Sequence, residues 1–336
     1  MKLLVTGATG FLGSALVPRL VAAGHEVRVL ARGDRPESLP APYPRDYLAA
    51  LGKCSWVRGD VQDPTAVGVA MQGIEAVYHL AGLVSRDPRE AHKMYALHVG
   101  GTRAVLDAAE KASVKRVIIA SSSGTIGVSK DRRVATEADD YPIETVGRWP
   151  YYLSKIYEEK LALERSRGGL PVIVLNPSLL LGPGDARLSS THDVYRFLHK
   201  RIPAMPKGGL SFVDVRDAAA AFESALTRGN LGERHLLGGC NIEFDDFFAR
   251  LSRLSGTPRP PLRLPSSVKV LAAHAMERWA RQHDREPDLD AASVEMGEHW
   301  FFVDSSKSER LLGFRPRDPF ETLSETLRYL QEHFVP

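Results

Sequence analysis

A tyrosine and a lysine one helical turn apart form the pair of side chains best suited to proton transfer. Tyr151 and Lys155 lie in a segment, residues 151–165, whose pattern predicts a helix, and a spacing of four residues places both side chains on one face. A free phenol titrates near ~10, and a neighbouring ammonium lowers its pKa toward the range of a proton-transfer catalyst. Tyr152, three residues from Lys155, is the second choice for this role.

Three consecutive serines could supply a hydroxyl that polarises a substrate oxygen. Ser121, Ser122 and Ser123 follow directly after a predicted strand, Arg116–Ala120. Serines at a strand end also occur as ordinary turn residues. The residues alone therefore indicate a hydroxyl partner for the phenol but leave open which serine provides it.

Three glycines near the N-terminus are spaced for dinucleotide binding. Gly7, Gly10 and Gly13 lie between a predicted strand, Leu3–Thr6, and a predicted helix, Ser14–Ala23. This order directs backbone N–H groups and a helix N-terminus at a pyrophosphate, although an ordinary βα turn can share it. Gly7 allows the tight turn, Gly10 the close approach of phosphate, and Gly13 close packing of helix on strand. The predicted cofactor-binding residues of this turn are Gly7, Thr9, Gly10, Phe11, Leu12 and Gly13.

The end of the second predicted strand favours NADP(H) over NAD(H). Sites for NAD place an acid there to bind the ribose 2′-hydroxyl, but Glu26–Ala31 is followed by Arg32. A guanidinium binds a 2′-phosphate through two parallel hydrogen bonds. Arg35 could assist, and the nearby Asp34 keeps NAD(H) open as an alternative.

Other strand ends complete the predicted cofactor site. Asp60 and Val61 follow the third strand and are placed to touch the adenine, and Lys155 could hydrogen-bond the nicotinamide ribose beside Tyr151. The residues beside the phosphates, at the end of the fourth strand, are Leu80, Ala81 and Gly82.

Short β-branched runs alternate with helical patterns through the first two-thirds of the chain. This alternation predicts an α/β fold, a doubly wound parallel sheet of the Rossmann type with ligands at the carboxyl ends of its strands. Residues 33–53 contain four prolines and are interpreted as a surface excursion. The predicted strands are Leu3–Thr6, Glu26–Ala31, Ser55–Arg58, Ala76–His79, Arg116–Ala120 and Pro171–Leu175. The predicted helices are Ser14–Ala23, Pro64–Met71, Gly101–Lys111 and Tyr151–Arg165.

Beyond about residue 183 the alternation ends and a smaller, mostly helical substrate cap is predicted. One further strand is expected at Phe212–Val215. Trp279, Trp300, Phe301 and Phe302 could line an apolar pocket or fill the core, and core is the commoner place for such side chains. The predicted division is a nucleotide-binding domain of residues 1–182 and 211–240 and a cap of residues 183–210 and 241–336.

Composition excludes several classes of function. The 336 residues carry a formal net charge of +3 without a concentrated basic block, so nucleic acid is not expected as a partner. The two cysteines, Cys54 and Cys240, lack metal-ligand spacing and are expected to be free thiols, with no metal site. No apolar run is long enough for a membrane span and the first strand starts at residue 2, so a cytoplasmic protein is expected.

The order of these motifs resembles a known family. The sequence TGATGFLG from Thr6, the serine segment and Tyr-xxx-Ser-Lys are similar to the extended short-chain dehydrogenase/reductases, the NAD(P)-dependent epimerase/dehydratase superfamily. The resemblance covers nearly the whole chain. Its further motifs are Gly59–Val61, Val77–Gly82, Gly101–Thr102, Asn176–Ser178, Gly182–Asp185 and Phe212–Asp217.

This resemblance assigns roles that the spacing alone leaves open. In the family the catalytic hydroxyl commonly precedes a glycine by five residues, so Gly127 selects Ser122, with Ser123 as the alternate. The resemblance also implies that Pro177 and Ser178 flank the nicotinamide. Family helices such as those predicted at Gly101–Lys111 and Tyr151–Arg165 often pair between subunits, so a homodimer is compatible with it.

Within the family, the sequence departs from the enzymes that act on nucleotide sugars. Those enzymes usually carry polar residues, which grip the substrate diphosphate, where this chain has Leu179 and Leu210. Leu181 likewise stands where a tyrosine is usual. Because an unmatched diphosphate is costly to desolvate, the pattern is closer to dihydroflavonol-reductase-type enzymes, which reduce a ketone or aldehyde with NADPH.

The sequence thus predicts an NADPH-dependent carbonyl reductase with Ser122, Tyr151 and Lys155 as its catalytic set. Its partner is then a small-molecule carbonyl compound rather than a nucleic acid or a membrane. An NAD-dependent nucleotide-sugar epimerase or dehydratase is the alternative, and a redox-sensing regulator that binds NADP without chemistry is a third. His98 stands where the family usually has asparagine, either as a structural histidine bonded to backbone or as part of a proton relay behind Lys155.

Overall fold

A computed structural model describes residues 1–36, 43–262, 272–273, 275–278, 282–283 and 290–335. Within these ranges, seven strands form one parallel sheet and three form a second, smaller sheet. The strands are β1 (Lys2–Thr6), β2 (Glu26–Ala31), β3 (Ser55–Arg58), β4 (Ala76–His79), β5 (Arg116–Ala120), β6 (Val172–Pro177), β7 (Leu179–Leu181), β8 (Gly209–Asp214), β9 (Arg234–Leu237) and β10 (Cys240–Glu243).

Helices connect the strands and cover both faces of the large sheet. A π-helical stretch, Ala96–Gly101, leads directly into the fifth helix. The helices are α1 (Phe11–Ala22), α2 (Arg45–Gly52), α3 (Pro64–Met71), α4 (Ala91–Tyr95), α5 (Thr102–Lys111), α6 (Ile143–Val146), α7 (Pro150–Arg167), α8 (His192–Leu198), α9 (Val215–Ser224), α10 (Phe244–Ser255), α11 (Ala291–Met296), α12 (Ser306–Leu312) and α13 (Pro319–Phe334).

The strand order of the large sheet is β3-β2-β1-β4-β5-β6-β9, with every pair parallel. This is the doubly wound Rossmann arrangement that the sequence predicts. The order reverses between β1 and β4, and a reversal of this kind opens a crevice at the carboxyl ends of the strands. Thr6 and His79 face each other across this reversal at the last paired position of the two strands.

All six predicted strands are present as β1 to β6. The seventh strand of the large sheet, β9, is not predicted from the sequence. Its four residues, RHLL, begin with two polar side chains, so they show neither an apolar run nor clean alternation. The strand exists because it completes the sheet by pairing with β6.

Apolar side chains of alternating strand residues form two cores, one on each face of the sheet. Leu3 and Val5 point to the face covered by α1, α2 and α9, whereas Leu4 points to the face covered by α3, α5 and α7. This alternation follows from the two-residue period of a strand. Because the sheet is buried on both faces, the positions of its strands are fixed. The strand ends, and the site residues that follow them, are therefore fixed as well.

The interpretation of residues 33–53 as a surface excursion is wrong for its second half. Residues 45–52 form α2, in which Tyr47 and Leu51 are buried against the core of the sheet. The four prolines all precede this helix. Its apolar face is short, with Tyr47 and Leu51 four residues apart, so the helical pattern is difficult to detect next to the prolines. Residues 37–42 lie outside the described residues.

The small sheet, in the order β10-β8-β7, anchors the predicted cap. Its apolar core includes Phe212, Phe247 and Leu323, contributed by β8, α10 and α13. The predicted strand Phe212–Val215 corresponds to β8 and lies in this sheet, whereas α12 returns to pack against β9. We therefore propose the same division into two domains, except that β8 belongs with the cap.

The aromatic residues of the cap differ in their packing. Trp300 is buried and forms bridges to Ser129 and Gly209. Phe301 is partly buried against the cluster around Trp149. The expectation that such side chains fill the core is met by these two, whereas Trp279 lies outside the described residues.

Other expectations from composition concern membranes, metals and thiols. In the described part of the chain, every helix is too short or too polar to span a bilayer. The same residues contain no cluster of three or more histidine, cysteine, aspartate or glutamate side chains suited to a metal ion. Cys54 and Cys240 are both free thiols.

A buried carboxylate shapes the segment that leads from β7 into α8. Asp185 is 1% exposed. Its two oxygens accept hydrogen bonds of 2.8–3.0 Å from backbone or hydroxyl groups of Ser189, Ser190 and Thr191. One side chain thus supplies the acceptors for the turn that leads into α8, and Val194 and Phe197 of that helix are buried in the core of the small sheet.

Replacing this carboxylate should destabilise the protein measurably. Asp185→Ala leaves several buried donors without an acceptor, so we expect a loss of roughly 3 kcal/mol in the free energy of unfolding. Urea denaturation followed by circular dichroism measures it. Asp246→Ala, an exposed aspartate on α10, is the matched control and should cost less than ~0.5 kcal/mol. Equal stabilities of the two variants would contradict this role for Asp185.

Candidate active site

The glycine turn after β1 has the geometry of an anion cradle. Gly7 has a φ of +70°, and a Cβ there would lie 2.5 Å from the Leu80 carbonyl carbon. A Cβ on Gly13 would lie 2.4 Å from the Gly7 oxygen, so the close packing expected of Gly13 is present. Gly10 caps α1 without a side-chain hydrogen bond, and the first turn holds no acid. The first N–H groups of α1 are therefore free to bind a ligand. They lie at the positive end of the helix dipole, which faces the crevice.

A tyrosine that the sequence analysis missed supports this turn. The Tyr47 hydroxyl donates a 2.7 Å hydrogen bond to the Ala8 carbonyl oxygen and is buried. Phe11 and Leu12 are also buried in the core, so they can offer backbone N–H groups rather than side chains to a ligand. The spacing of Tyr47 and Leu51 on α2 is the signal that could have found this contact.

The tip of β2, which is predicted to select the nucleotide, is exposed. Arg32 is exposed and pairs with no carboxylate among the described residues, whereas Asp34 pairs with Arg58 at 3.6 Å. Asp60 accepts a 2.9 Å hydrogen bond from the backbone of its own turn. Val61 is buried in the core of the α3 face. Among the described residues, Arg32 is therefore a guanidinium at the tip of β2 without a carboxylate partner.

The serine segment after β5 separates into different roles. The Ser122 hydroxyl is close enough to the Tyr151 phenol to lower its pKa, whereas the Ser121 hydroxyl donates to Glu159 at 2.6 Å. Ser123 is buried, and its carbonyl oxygen accepts from the backbone of Gly127 at 2.7 Å. Of the three hydroxyls, the one that acts on the pKa of Tyr151 is Ser122, the residue that the resemblance selects.

Glu159, also missed from the sequence, holds this segment in place. It is fully buried and lies on α7, eight residues after Tyr151. Because its charge has no access to water, the carboxylate must find donors within the protein. The groups within 3.1 Å of its oxygens are the Ser121 and Thr125 hydroxyls, the Asn176 amide and the Tyr141 phenol.

Lys155 is engaged by a second buried acid. Its ammonium donates to the Glu158 carboxylate at 2.6 Å and to the Ala120 carbonyl oxygen at 2.9 Å. Glu158 also accepts a 3.0 Å hydrogen bond from the Thr102 hydroxyl. Its position three residues after Lys155 is the signal that sequence reasoning overlooked, because acids within a helix usually face solvent.

The structure corrects the expected effect of Lys155 on Tyr151. Burial raises the pKa of Tyr151 to about 12, the hydrogen bond with Ser122 opposes this rise, and the Glu158 carboxylate adds to it. Lys155 is not among the groups that shift this pKa, and its ammonium is paired with Glu158 at 2.6 Å. Tyr151 is therefore a neutral phenol, able to donate a proton.

His98 is held as a neutral side chain. The Leu83 backbone N–H donates to its Nε2 at 3.0 Å, so the ring proton is assigned to Nδ1, which donates to the Ser154 hydroxyl at 2.8 Å. Burial, assisted by the charge of Lys155, lowers its pKa to about 2. These contacts favour the structural role for His98 over a relay.

The remaining predicted cofactor residues line the same edge of the sheet. A Cβ on Gly82 would lie 3.6 Å from the Lys155 ammonium, so the end of β4 lies directly against this lysine. Pro177 ends β6, and both polar hydrogens of Ser178 are directed at the Leu237 carbonyl oxygen, at 3.0 and 3.1 Å. These residues bring β4, β6 and α7 to one place.

Tyr152, Leu179 and Leu210 are packing residues. The Tyr152 ring covers Gly124, where a Cβ would lie 2.0 Å from it, and contacts Trp149 and Phe301. Leu210 is buried in the cap core, with Leu179 partly buried against it. The second-choice tyrosine thus belongs to an aromatic cluster beside the site.

A family model matches residues 3–238, which include the glycine turn, the serine segment and the helix with Tyr151 and Lys155. The chain belongs to the NAD dependent epimerase/dehydratase family. It is therefore an NAD(P)-dependent oxidoreductase of the extended short-chain dehydrogenase/reductase type.

Proteins similar to this chain include one that is named as a reductase. A Synechocystis sp. protein named for dihydroflavonol 4-reductase is 32% identical, over 98% of this chain and 94% of its own length. Sterol demethylase protein B of Methylococcus capsulatus is 30% identical, over 99% of each chain. The crystal structure of gox2253 superposes with a TM-score of 0.80 at 32% identity, covering 99% of both chains. The dihydroflavonol-reductase-like subgroup that the sequence indicates is confirmed.

The neutral state of His98 makes the free energy of unfolding depend on pH. Because its pKa falls from 6.5 to about 2 on folding, the folded state binds fewer protons than the unfolded state between these values. Stability is therefore complete above pH 6.5 and is lost as the pH falls. His98→Asn, which keeps a donor and an acceptor, should reduce this loss by about 1.4 kcal/mol per pH unit.

Urea unfolding at a series of pH values from about 6 to about 4 measures this slope. His92→Asn, at an exposed position on α4, is the control and should leave the wild-type slope unchanged. A His98→Asn protein with the wild-type slope would show that His98 is not buried in its neutral form.

Proposed function

We propose that the protein reduces a ketone or aldehyde to an alcohol with NADPH. The observation that carries this proposal is the position of Tyr151 and the buried Lys155 on α7, beside the serine segment that follows β5. The pair lies at the carboxyl end of β5, next to the crevice between β1 and β4. A neutral phenol and a hydroxyl at such a place suit the donation of a proton to a substrate oxygen.

The residues present fit a dinucleotide. The cradle at Gly7 leaves no room for a Cβ, and the N-terminus of α1 offers uncapped N–H groups to a pyrophosphate. The residues that would hold the cofactor are Gly7, Thr9, Gly10, Phe11, Leu12, Gly13, Arg32, Asp60, Val61, Leu80, Ala81, Gly82, Tyr151, Lys155, Pro177 and Ser178.

The catalytic roles follow from the donors and acceptors at the site. When bound, NADPH supplies a hydride to the carbonyl carbon. Tyr151 donates the phenolic proton to the carbonyl oxygen, and Ser122 hydrogen-bonds that oxygen as negative charge develops on it. Lys155, held by Glu158 and the Ala120 carbonyl oxygen, would orient the nicotinamide ribose beside Tyr151. The phenolate then recovers a proton from solvent.

An apolar substrate is the best match to the cap. Leu179 and Leu210 stand where sugar-nucleotide enzymes hold a diphosphate, and both pack among apolar side chains. These leucines provide no charge to replace the water that a diphosphate would lose. A small or apolar carbonyl compound avoids this cost.

Removal of the phenolic hydroxyl tests the catalytic assignment. With a panel of ketones and aldehydes followed by NADPH absorbance, Tyr151→Phe should lower kcat on the order of 10²–10⁴-fold and leave the Kd for NADPH nearly unchanged. Tyr157→Phe, an exposed tyrosine on the same helix, should retain full activity. A fully active Tyr151→Phe enzyme would contradict the catalytic assignment, whereas NAD that co-purifies without consumption of added NADPH would favour an epimerase or dehydratase.

The preference for NADPH depends on a different residue. Arg32→Ala removes the guanidinium proposed to bind the 2′-phosphate, so the Kd for NADPH should rise roughly 10- to 100-fold while that for NADH changes little. Fluorescence titration of the two cofactors measures both constants, and Arg167→Ala at the exposed end of α7 serves as the control. Equal losses for both cofactors would contradict recognition of the phosphate by Arg32.

A further inference from the structure

Arg86 joins the nucleotide-binding part of the molecule to the cap, in a contact that the mechanism described so far does not use. It lies on the segment that follows β4, and its guanidinium forms a bidentate ion pair with Asp193 on α8. One of its nitrogens also donates to the Ser293 hydroxyl on α11 at 3.0 Å. A single side chain therefore holds two helices of the cap.

The contacts around Arg86 match each donor with an acceptor. Its Nη1 donates to Asp193 and to Ser293, each at 3.0 Å, which uses both of its hydrogens. The Ser293 hydroxyl in turn donates to the carboxylate of Asp290, the residue that caps α11. Burial alone would raise the pKa of Asp193, but the charge of Arg86 outweighs it, and the pKa is lowered to about 2. The carboxylate is therefore ionised at neutral pH.

The segment that carries Arg86 starts beside the candidate catalytic residues. A Cβ on Gly82 would lie 3.6 Å from the Lys155 ammonium, and the Leu83 backbone N–H donates to His98 at 3.0 Å. Arg86 follows Gly82 by four residues, so even a fully extended chain places it within roughly 15 Å of this point. The contact with the cap is thus made close to the site.

A second contact attaches α11 to the helix that carries Tyr151. The Trp149 indole N–H donates to Glu295 of α11 at 3.1 Å, and Trp149 precedes Tyr151 by two residues. The segment after β4, α11 and the start of α7 therefore form a closed ring of contacts, and Tyr151 lies on one of its members. Opening this ring opens the surroundings of Tyr151.

The two attachments of α11 differ in their exposure to water. Trp149 is 1% exposed, and Met296 of α11 packs against its cluster. The side chains of Arg86 and Asp193 are 39% and 38% exposed. Water and salt weaken an ion pair of this kind, although bidentate geometry makes it stronger than most surface pairs. The ring should therefore open at Arg86 while Trp149 keeps α11 attached.

On the basis of the proposed function, we propose that the contact of Arg86 with Asp193 and Ser293 is a latch, whose release opens the cap and admits the carbonyl compound to Tyr151. Arg86 determines which substrates reach the site and is not a catalytic residue, because it acts on the cap. Opening and closing of this kind controls the entry of substrate and the release of product and leaves the chemical step unchanged.

The first test is hydrogen exchange of the whole protein without cofactor or substrate, followed by mass spectrometry of peptides from α8 and α11. Arg86→Ala removes the guanidinium, so we expect amide exchange in both helices to accelerate about tenfold. Exchange in the buried strand β5 should stay as in the wild type. Salt at about 1 M should accelerate exchange of the same helices in the wild type and have little effect on the variant.

Arg89→Ala is the matched control. Arg89 lies on the same segment, but its guanidinium pairs with Asp87 of that segment and not with the cap. The control should exchange like the wild type. Unchanged exchange of α8 and α11 in Arg86→Ala, or an equal acceleration by Arg89→Ala, overturns the inference.

Asp193→Asn breaks the same ion pair from the side of the cap and is available if Arg86→Ala does not fold. Because both variants remove one interaction, exchange should accelerate by a similar factor in each, and the double variant Arg86→Ala/Asp193→Asn should add little. Factors that multiply in the double variant would show that the two side chains act independently, and would overturn the latch.

Kinetics test whether the latch controls the admission of substrate. The smallest and the bulkiest carbonyl compounds that the wild type reduces with NADPH are compared. In Arg86→Ala the ratio of kcat/KM for the bulky compound to that for the small one should rise roughly 3- to 10-fold, and in Arg89→Ala it should not change. Faster hydrogen exchange with an unchanged ratio would overturn the role of Arg86 in admission.

Failure of the proposed function has a different signature. It appears as a wild-type protein that reduces no carbonyl compound with NADPH. Hydrogen exchange requires neither ligand nor turnover, so its outcome decides the existence of the latch separately.

Discussion

Two adjacent carboxylates buried in the middle of α7 constrain the whole site. Glu158 and Glu159 are both inaccessible to water, and an ionised carboxylate in such a place is tolerated only when its oxygens are fully paired. Being neighbours on a helix, they point in different directions. Glu159 collects donors from the loop after β5 and from β6, whereas Glu158 collects them from Lys155 and α5. The helix can therefore occupy one position relative to the sheet.

That position is what brings the proton donor and the hydroxyl together. Tyr151 lies on the same helix, and the Ser122 carbonyl oxygen accepts from the amide of Asn176 at 3.2 Å. The hydroxyl and the phenol thus meet on rigid elements before any ligand binds. Preorganised donors of this kind need no rearrangement during the reaction, which is the main source of electrostatic catalysis. Burial of Tyr151 in the same place raises its pKa and keeps it a neutral phenol.

Much of the fold and of the candidate site could be predicted from the sequence, because parallel strands bring their carboxyl ends to one edge of the sheet. The strands β1 to β6, the glycine turn and the meeting of the serine segment with Tyr151 follow from that rule. The rest depends on which face of an element is buried. Glu158 and Glu159 look like solvent-exposed acids, β9 is too short and polar to show a strand pattern, and α2 follows a proline-rich run. The raised pKa of Tyr151 could not be predicted because it arises first from burial, and burial is known only from the packing.

The most direct test of the account is the fate of the transferred hydrogen. NADPH carrying deuterium at the reactive nicotinamide carbon is supplied with a carbonyl substrate, and the product alcohol is analysed by mass spectrometry and NMR. The account predicts that one deuterium atom appears on the former carbonyl carbon for each NADPH oxidised, and that this label is absent with Tyr151→Phe. Product formed without deuterium, or an unlabelled rearranged substrate with no net oxidation of NADPH, would contradict it.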